Sequence, residues 1–254
     1  MPQPTATLFA PRSERIVTTN AWAFLHWLRF TRGIDLPDWA ALQRFSAGDA
    51  GRFGDAIAAF ARLPAKPLRL SATPAQAGAQ IILATPPQEM PPELIAPLTR
   101  LWPPALLLRP LADALLHADL RPDDRVVVVG GHWPWLASLL QGTTIILAPP
   151  AALLVTAADQ RATVIIAPAA VVADAAFKRP GCRPELASLR TILATGGPLS
   201  PEQRMRVYTW IKSDLMLLAR TGDTLWGNPL EPVLARPPAA PGLFRQPLTA
   251  PAPA

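Results

Sequence analysis

A regular alternation of short apolar runs and helix-compatible segments is the feature that most constrains the fold of this chain. The runs are rich in valine, isoleucine and leucine and are apolar on both faces, as is typical of buried parallel strands. They lie at 125–130, 143–148, 162–167, 189–195 and 215–219. The segments between them that are compatible with helices lie at 133–140, 151–160, 169–178 and 200–212. We therefore predict an α/β fold, with a partial, mostly parallel sheet flanked by helices over residues 106–235.

The first 62 residues have a different, helical spacing of apolar side chains, which predicts an amino-terminal helical region of three short helices. The periodic positions are Ile16, Trp22, Leu25, Leu28, Trp39, Leu42, Phe45, Phe53, Ile57 and Phe60. Breaks fall at Gly33 and at 48–51, and Asp38 and Asp49 lie where a helix amino end favours a carboxylate.

Proline marks the two regions outside these units. Residues 63–105 contain clustered prolines around one plausible strand at 79–85, and we interpret them as a connector with little regular structure. Residues 236–254 are rich in proline and alanine and have the composition of a disordered tail.

Composition narrows the classes of function. Half of the 254 residues are hydrophobic, and every apolar run is interrupted before the roughly 18 residues that a membrane span needs. The amino terminus lacks the pattern of a secretory signal, so we expect a cytoplasmic protein without a membrane partner. The net charge of +6 comes from scattered arginines, so no nucleic-acid partner is expected. A single cysteine, Cys182, and three histidines without a common spacing indicate no disulfide and no metal or catalytic triad.

Two blocks of sequence carry a resemblance to a known family. The opening block runs from 11 to 53, and the matching positions are Glu14, Ile16, Trp27, Leu28, Gly33, Leu42, Ser46 and Phe53, whereas Trp39 and Phe45 depart from the pattern. The second block comprises "LHADLRPDDRVVVV", "PELASLRTILATGGPLSPEQ" and "GNPLEPV". On these residues the chain resembles acetoacetyl-CoA synthetases, a branch of the AMP-forming acyl-CoA synthetase (adenylate-forming) superfamily. The resemblance implies the α/β large domain of those enzymes.

The resemblance places the family's adenine-contacting loop at residues 195–198. These residues are Thr195, Gly196, Gly197 and Pro198. Glycines in such a loop let the backbone approach a base closely. The same letters also predict an ordinary strand-to-helix turn, with Ser200 as the helix cap and Pro201 at the first helical position.

A second nucleotide loop of the family, which meets the AMP phosphate and helps to hold magnesium, corresponds to residues 221–224. These residues are Thr221, Gly222, Asp223 and Thr224. The threonine and the acidic residue stand in reversed order relative to the family, which puts a magnesium role of Asp223 in question. The alternative is a solvated turn after a buried strand. AMP or ATP with magnesium is the candidate cofactor that the resemblance implies.

Two parts that the family needs for adenylation have no counterpart in this sequence. The loop that holds the triphosphate is expected shortly before residue 116, but the segment 100–115, "RLWPPALLLRPLADAL", contains no glycine, serine or lysine. The sequence also shows no counterpart of the family's carboxyl-terminal domain with its catalytic lysine. Lys212 is expected to be a solvated surface residue. We therefore predict no catalytic residue.

These observations favour a shortened, degenerate acetoacetyl-CoA synthetase-like protein that is inactive alone, a pseudoenzyme or a remnant, with retained nucleotide or acyl-CoA binding as its candidate activity. Two alternatives stay open. One is a structural or regulatory partner of an intact synthetase, which uses surface exposed by the missing segments. The other is a CoA ligase completed by a second polypeptide.

Overall fold

Short strands alternate with short helices from residue 125 onward, as the sequence predicts, and further short elements precede and follow this part of the chain. The structure is a computed structural model, and it describes residues 6–63, 65–69, 80–83, 101–130, 141–177 and 185–243. Its strands are β1 (Thr7–Phe9), β2 (Leu68–Arg69), β3 (Gln80–Leu83), β4 (Leu101–Trp102), β5 (Arg125–Val128), β6 (Thr144–Leu147), β7 (Val164–Pro168), β8 (Thr191–Thr195), β9 (Met216–Thr221), β10 (Thr224–Trp226), β11 (Val233–Leu234) and β12 (Ala239–Pro241). Its α-helices are α1 (Ser13–Ile16), α2 (Asn20–Trp27), α3 (Trp39–Gly48), α4 (Ala50–Phe60), α5 (Pro104–Ala112), α6 (Leu153–Asp159), α7 (Ala169–Phe177) and α8 (Pro201–Arg206).

A sheet of eight strands in the order β12-β10-β9-β8-β7-β5-β6-β3 organises the described part of the chain. The six strands from β9 to β3 are parallel to their neighbours, and β10 and β12 add to the β9 side as antiparallel strands. The predicted α/β class and mostly parallel sheet are confirmed. Two two-stranded ribbons, β1 with β11 and β2 with β4, are not hydrogen-bonded to this sheet.

The central strands are buried on both faces, as their unbroken apolar sequences require. All described residues of β6 and β8 are buried, and α6, α7 and residues 207–208, which directly follow α8, contribute to the same hydrophobic core. Such double-sided covering is the physical reason that these strands show no polar alternation. The predicted helix at 133–140 lies outside the described residues.

Side chains cap the amino ends of α2, α3 and α4, and α3 and α4 begin directly after Asp38 and Asp49, where the sequence predicts helix starts. The Thr19 hydroxyl accepts a hydrogen bond from the backbone N–H of Trp22, and the carboxylates of Asp38 and Asp49 accept from the third residue beyond each of them. The three helices pack their apolar faces together and around Phe24 and Phe53, which are fully buried. Helical turns therefore make up most of residues 13–60.

Helix α5 connects the two hydrophobic cores. Leu107 belongs to the core of the sheet, whereas Leu111, Leu115 and Leu116 belong to the core of the amino-terminal helices. The helix continues beyond Ala112 as a wider turn of π-helix, Asp113–His117, and α2 and α8 continue in the same way over Leu28–Arg32 and Val207–Ile211. The predicted boundary at residue 106 therefore falls inside a helix.

The carboxyl-terminal region differs from the sequence-based expectation. Residues 239–241, predicted as part of a disordered tail, form β12 and pair with β10, with Trp226 opposite Ala239 and Thr224 opposite Pro241. The fully buried Leu243 packs in the core of the amino-terminal helices. Tertiary pairing overrides composition here. The predicted tail from 244 onward lies outside the described residues.

Candidate functional site

The turn at residues 195–198 joins the carboxyl end of β8 to helix α8. Gly196 and Gly197 have φ angles of +82° and +134°, which side chains of L-residues rarely adopt, so the turn needs glycine for its backbone path. The Gly196 N–H donates a 3.0 Å hydrogen bond to the Arg220 carbonyl on β9. Helix α8 then begins with the predicted cap: the Ser200 hydroxyl accepts from Gln203 N–H, and the Gln203 side chain accepts from Ser200 N–H.

The hydroxyl of Thr195 is a polar group without a hydrogen-bond partner in the described part of the chain. Thr195 is the last residue of β8, and only 5% of its surface is exposed. Its Oγ1 is buried and unpartnered. Buried polar atoms are nearly always hydrogen-bonded, so an unpaired hydroxyl beside a glycine turn is consistent with a place for a ligand atom.

Residues 221–224 form the tight turn of a hairpin. Thr221 ends β9 and pairs with Thr224, which begins β10, so that Gly222 and Asp223 alone make the connection. Gly222 has a φ angle of +52°, and both turn residues are exposed. This geometry is that of a solvated turn, the alternative given above. It does not remove the difference from the family in the order of the threonine and the acidic residue.

The sheet brings the two predicted segments together. Strands β8 and β9 are parallel neighbours, and Thr195 is the register partner of Arg220. A Cβ built on Gly197 would lie 3.7 Å from the Thr221 hydroxyl, which is an ordinary contact distance. All eight predicted residues therefore lie at one carboxyl edge of the sheet, where ligands bind in open α/β folds.

Asp223 pairs with a cation on helix α5. Its carboxylate forms an ion pair with Arg109 on α5. The Arg109 guanidinium also reaches the Gly222 carbonyl at 3.4 Å, and the Arg220 Nε donates to the same carbonyl at 2.9 Å. A carboxylate that is paired with an arginine does not suit a magnesium ion, because the ion would meet the guanidinium. The residues present thus do not fit the predicted magnesium role.

A buried ion pair lies below this turn. Asp113, on the π-helical extension of α5, pairs with Arg220. Burial raises the pKa of Asp113, and the charge and hydrogen bond of Arg220 oppose that rise. Burial, together with the charge of Arg220, lowers the pKa of the fully buried His117 to about 3. Burial and the neighbouring Arg220 also lower the pKa of Arg109. Charges of both signs are therefore concentrated at this edge.

These side chains of α5 and its extension were not among the residues predicted from the sequence. Arg109, Asp113 and His117 are spaced four residues apart within an otherwise apolar segment. Residues four apart share one face of a helix, so the spacing is a signal that the helix turns a polar stripe toward a common partner. The sequence contains no signal for which partner, since Arg220 and Asp223 lie more than 100 residues further along the chain.

A groove of about 550 Å³ lies beside the glycine turn. It is lined mostly by apolar side chains, with three polar residues among them. The lining residues are Pro198, Leu199, Ser200, Pro201, Gln203, Trp226, Ala235, Arg236 and Pro237. Pro198 is the one predicted site residue in this lining.

Lys212 is not the solvated residue that the sequence predicts. Its ammonium donates 2.7 Å hydrogen bonds to the carbonyls of Ala187 and Leu189, and it lies 3.5 Å from the Asp214 carboxylate. The two carbonyls belong to residues just before β8 and hold the ammonium at that position. The prediction of a free surface lysine was wrong.

Within the described ranges, no group of three or more histidine, cysteine, aspartate or glutamate side chains could hold a metal ion. No helix in this part of the chain is both long enough and apolar enough to cross a membrane. Cys182 and His132 lie outside the described residues.

Comparison with known proteins gives matches of sequence and of fold, although no protein-family model matches the chain. The chain is 33% identical over 157 residues to the acetoacetyl-coenzyme A synthetase of Rhizobium meliloti (strain 1021), a match that covers 54% of this chain and 24% of that protein. It thus spans about a quarter of the length of this curated relative. The solved acetoacetyl-CoA synthetase from Streptomyces lividans has a similar fold, with a TM-score of 0.73 and 14% identity, over 94% of this chain and 69% of that one. Both findings confirm the predicted resemblance.

Proposed function

With the likeness to acetoacetyl-CoA synthetases as the premise, we propose that this chain has the adenylate-forming fold without adenylation activity. In this proposal it retains binding of a nucleotide or an acyl-CoA at the carboxyl edge of its sheet. The ligand contacts would come from the turn at 195–198 and the hairpin at 221–224. The observation that carries the proposal is the ion pair between Arg109 and Asp223.

The ion pair bears on catalysis because of where Arg109 comes from. A triphosphate is held by backbone N–H groups and an ammonium, which neutralise charge that builds up during the transfer of the nucleotidyl group. Helix α5 occupies the position expected for that loop, and it presents an arginine that is already paired with the carboxylate. Removal of one such preorganised donor typically costs about 10²-fold or more in rate. Loss of the whole loop supports the absence of turnover.

Binding without turnover is supported by the unpaired Thr195 hydroxyl and by the backbone of the glycine turn. The hydroxyl is buried beside two glycines, of which Gly196 is exposed and Gly197 is half-buried. A ligand that donates one hydrogen bond there would satisfy the hydroxyl, and a net gain of about 1 kcal/mol follows for such a bond.

The proposal is tested by calorimetric titration of the purified chain with ATP, AMP and CoA in the presence of magnesium, followed by a pyrophosphate-release assay with acetoacetate. We expect binding of at least one ligand and no release of pyrophosphate. The variant Thr195→Val should weaken binding, whereas Thr209→Val, on an exposed helical position, should not. Pyrophosphate release would refute the inactive part of the proposal. Silence with all three ligands would refute the binding part.

A second candidate function is supported by exposed apolar side chains on α7 and α8 and its extension. Phe177, Met205 and Trp210 are 54%, 48% and 38% exposed. Neighbouring exposed apolar residues are typical of protein interaction surfaces. We propose as the alternative that a second polypeptide covers this face, either an intact synthetase that the chain regulates or a subunit that completes a CoA ligase.

Affinity purification from cell extract separates these alternatives, with Trp210→Ser as the variant that disrupts the exposed face. A co-purified polypeptide that contains a Thr/Gly/Lys phosphate loop and gives pyrophosphate release together with this chain would support the completed ligase. A polypeptide active without this chain would support regulation. Recovery equal for the wild type and W210S would refute a role of this face. Fractionation of the same extract tests the proposed cytoplasmic location.

A further inference from the structure

Two guanidinium groups meet at one backbone carbonyl of the hairpin between β9 and β10. The Arg220 Nε donates to the Gly222 carbonyl at 2.9 Å, and the Arg109 guanidinium reaches the same oxygen at 3.4 Å. Two like charges this close together repel each other, so each needs an anion beside it. Arg220 is paired with the Asp113 carboxylate. Arg109 is paired with the Asp223 carboxylate.

The two counter-charges differ in how easily another anion can replace them. Asp113 is buried on the π-helical extension of α5. Asp223 is exposed and lies in the two-residue connection of the hairpin. An exposed ion pair is weak, because water solvates both partners and salt screens their attraction. The pair of Arg109 with Asp223 is therefore suited to exchange of its anion, whereas the pair of Arg220 with Asp113 is not.

Exchange at Arg109 needs only a rotation of the Asp223 side chain. The backbone of the hairpin is held on both sides, because β10 pairs with β9 and with β12. The Gly242 N–H, directly after β12, also donates a hydrogen bond to the Asp223 carbonyl. Exposed side chains change rotamer rapidly in solution. The carboxylate can thus turn away from Arg109 while the hairpin keeps its shape.

A phosphate group suits the position beside Arg109 better than the carboxylate of Asp223 does. A phosphate monoester carries roughly 1.5 to 2 negative charges at pH 7 and three acceptor oxygens, whereas a carboxylate carries a single charge. A guanidinium binds phosphate through two parallel N–H donors. Arg109 is partly exposed, so a ligand at the carboxyl edge of the sheet has access to it.

We propose that Asp223 is an internal competitor for the Arg109 guanidinium, and that a phosphate monoester group of the bound ligand displaces it. Arg109 then favours phosphorylated ligands, and Asp223 weakens their binding. This effect of Asp223 is opposite to that of a magnesium ligand, which would strengthen binding. The identity of the ligand as a nucleotide rests on the proposed function, whereas the exchange of anions rests on the contacts of Arg109 with the hairpin.

The first test compares AMP with adenosine, which lacks the phosphate, by calorimetric titration. The wild type should bind AMP more tightly than adenosine. D223N should lower the Kd of AMP by about threefold to tenfold, because the competing charge is removed, and should leave the Kd of adenosine unchanged. R109M should raise the Kd of AMP to that of adenosine. The matched control is D35N, which removes an exposed aspartate that pairs with Arg29, and both of its Kd values should equal those of the wild type.

The second test uses inorganic phosphate and does not depend on nucleotide binding. Phosphate should raise the thermal midpoint of D223N in a saturable way and by more than that of the wild type, because a ligand that binds only the folded state stabilises it. The double variant R109M/D223N should lose this additional rise. Sodium chloride at equal ionic strength controls for general screening of the charges.

The outcomes keep this proposal separate from the proposed function. A phosphate response of D223N that depends on Arg109, without binding of AMP or adenosine by any of the proteins, would refute the nucleotide site and support the exchange. Equal or weaker AMP binding in D223N than in the wild type would overturn the exchange. So would an equal phosphate response in D223N and R109M/D223N. Thermal unfolding without ligand shows which variants fold, and D223N against the wild type decides alone if R109M does not.

Discussion

At the amino ends of the parallel strands, charged side chains satisfy one another almost completely. The Asp124 carboxylate accepts hydrogen bonds from Arg121 N–H, the Thr163 hydroxyl and Arg190, and the Asp119 carboxylate accepts from Arg121 at 2.9 Å and Arg190 at 3.1 Å. Both aspartates are buried. This network connects the residues that precede β5, β7 and β8.

At the carboxyl ends of the same strands, pairing is partial. Thr195 has a buried hydroxyl without a described partner, and the ion pair of Arg109 with Asp223 is open to solvent. The pair of Asp113 with Arg220 is more enclosed, with side chains 6% and 11% exposed. The amino edge is thus closed by its own side chains, whereas the carboxyl edge leaves groups available to a ligand. The difference teaches that this sheet pairs its charges at the amino edge and leaves polar groups unpaired at the carboxyl edge, which is the edge where open α/β folds place ligands.

The largest effect on stability is expected from removing Arg190 from the network at the amino edge. The variant Arg190→Met leaves Asp119 and Asp124 buried without this counter-charge, so we expect a loss of about 3–5 kcal/mol in the free energy of unfolding. Urea titration measures it. The control is R206M, whose exposed i,i+4 pair with Glu202 should matter by about 0–1 kcal/mol. A change below about 1 kcal/mol in R190M would contradict the structural role.

The next effect concerns pH and the buried His117. Because burial lowers its pKa from 6.5 to about 3, the unfolded chain binds one more proton than the folded chain between these values. Stability should therefore fall as the pH falls from 6.5 toward 3, with a slope of about 1.4 kcal/mol per pH unit for one proton.

The variant His117→Leu should remove this component of the slope in chemical denaturation at pH 4 to 7. Asp113 acts in the opposite direction: its pKa is raised by burial, so its contribution to stability falls as pH rises. The difference between H117L and the wild type therefore isolates the histidine. Identical slopes in the two proteins would show that the pKa of His117 is the same in the folded and the unfolded chain.

A smaller effect is expected at the glycine turn of the carboxyl edge. Gly197→Ala should lower stability by about 1–3 kcal/mol, because the φ angle of +134° is strained for alanine, while the space for a Cβ is sufficient. Gly51→Ala, within helix α4, is the matched control and should raise stability by about 0.5–1 kcal/mol. Thermal unfolding compares the two. Equal effects would indicate that the turn is not held in this conformation.

The smallest effect should come from the solvent-exposed ion pair at the carboxyl edge. The Arg109 and Asp223 side chains are 27% and 48% exposed, so Arg109→Met should change the free energy of unfolding by about 0–1 kcal/mol. A double-mutant cycle with Asp223→Asn measures the coupling. A coupling as large as the loss in R190M would remove the distinction between the two edges.

The strands of the parallel sheet could be predicted because each apolar run is continuous and because clear turn residues separate one run from the next. The antiparallel additions could not. Strand β10 has three residues, and β12 consists of alanine and proline, which have low intrinsic preference for strands. The pairing of β12 depends on residues that are distant in sequence, and the local sequence does not contain that information.

The candidate site likewise has a part that could be predicted from the sequence and a part that could not. The turn at 195–198 was predicted from its local pattern, and its two glycines adopt the positive φ angles that such a turn requires. The roles of these residues toward a nucleotide stay predictions. The pairing of Arg109 with Asp223 joins residues 114 positions apart, so it follows from the fold and not from spacing.

The antiparallel edge has a consequence for self-association. Strand β12 is the outermost strand on its side of the sheet, and Pro241 within it, with Pro237 and Pro238 just before it, has no N–H to offer a further strand. An outer strand poor in donors is a natural barrier to strand addition by another molecule. Concentrated solutions of this chain should therefore not extend their sheets through this edge.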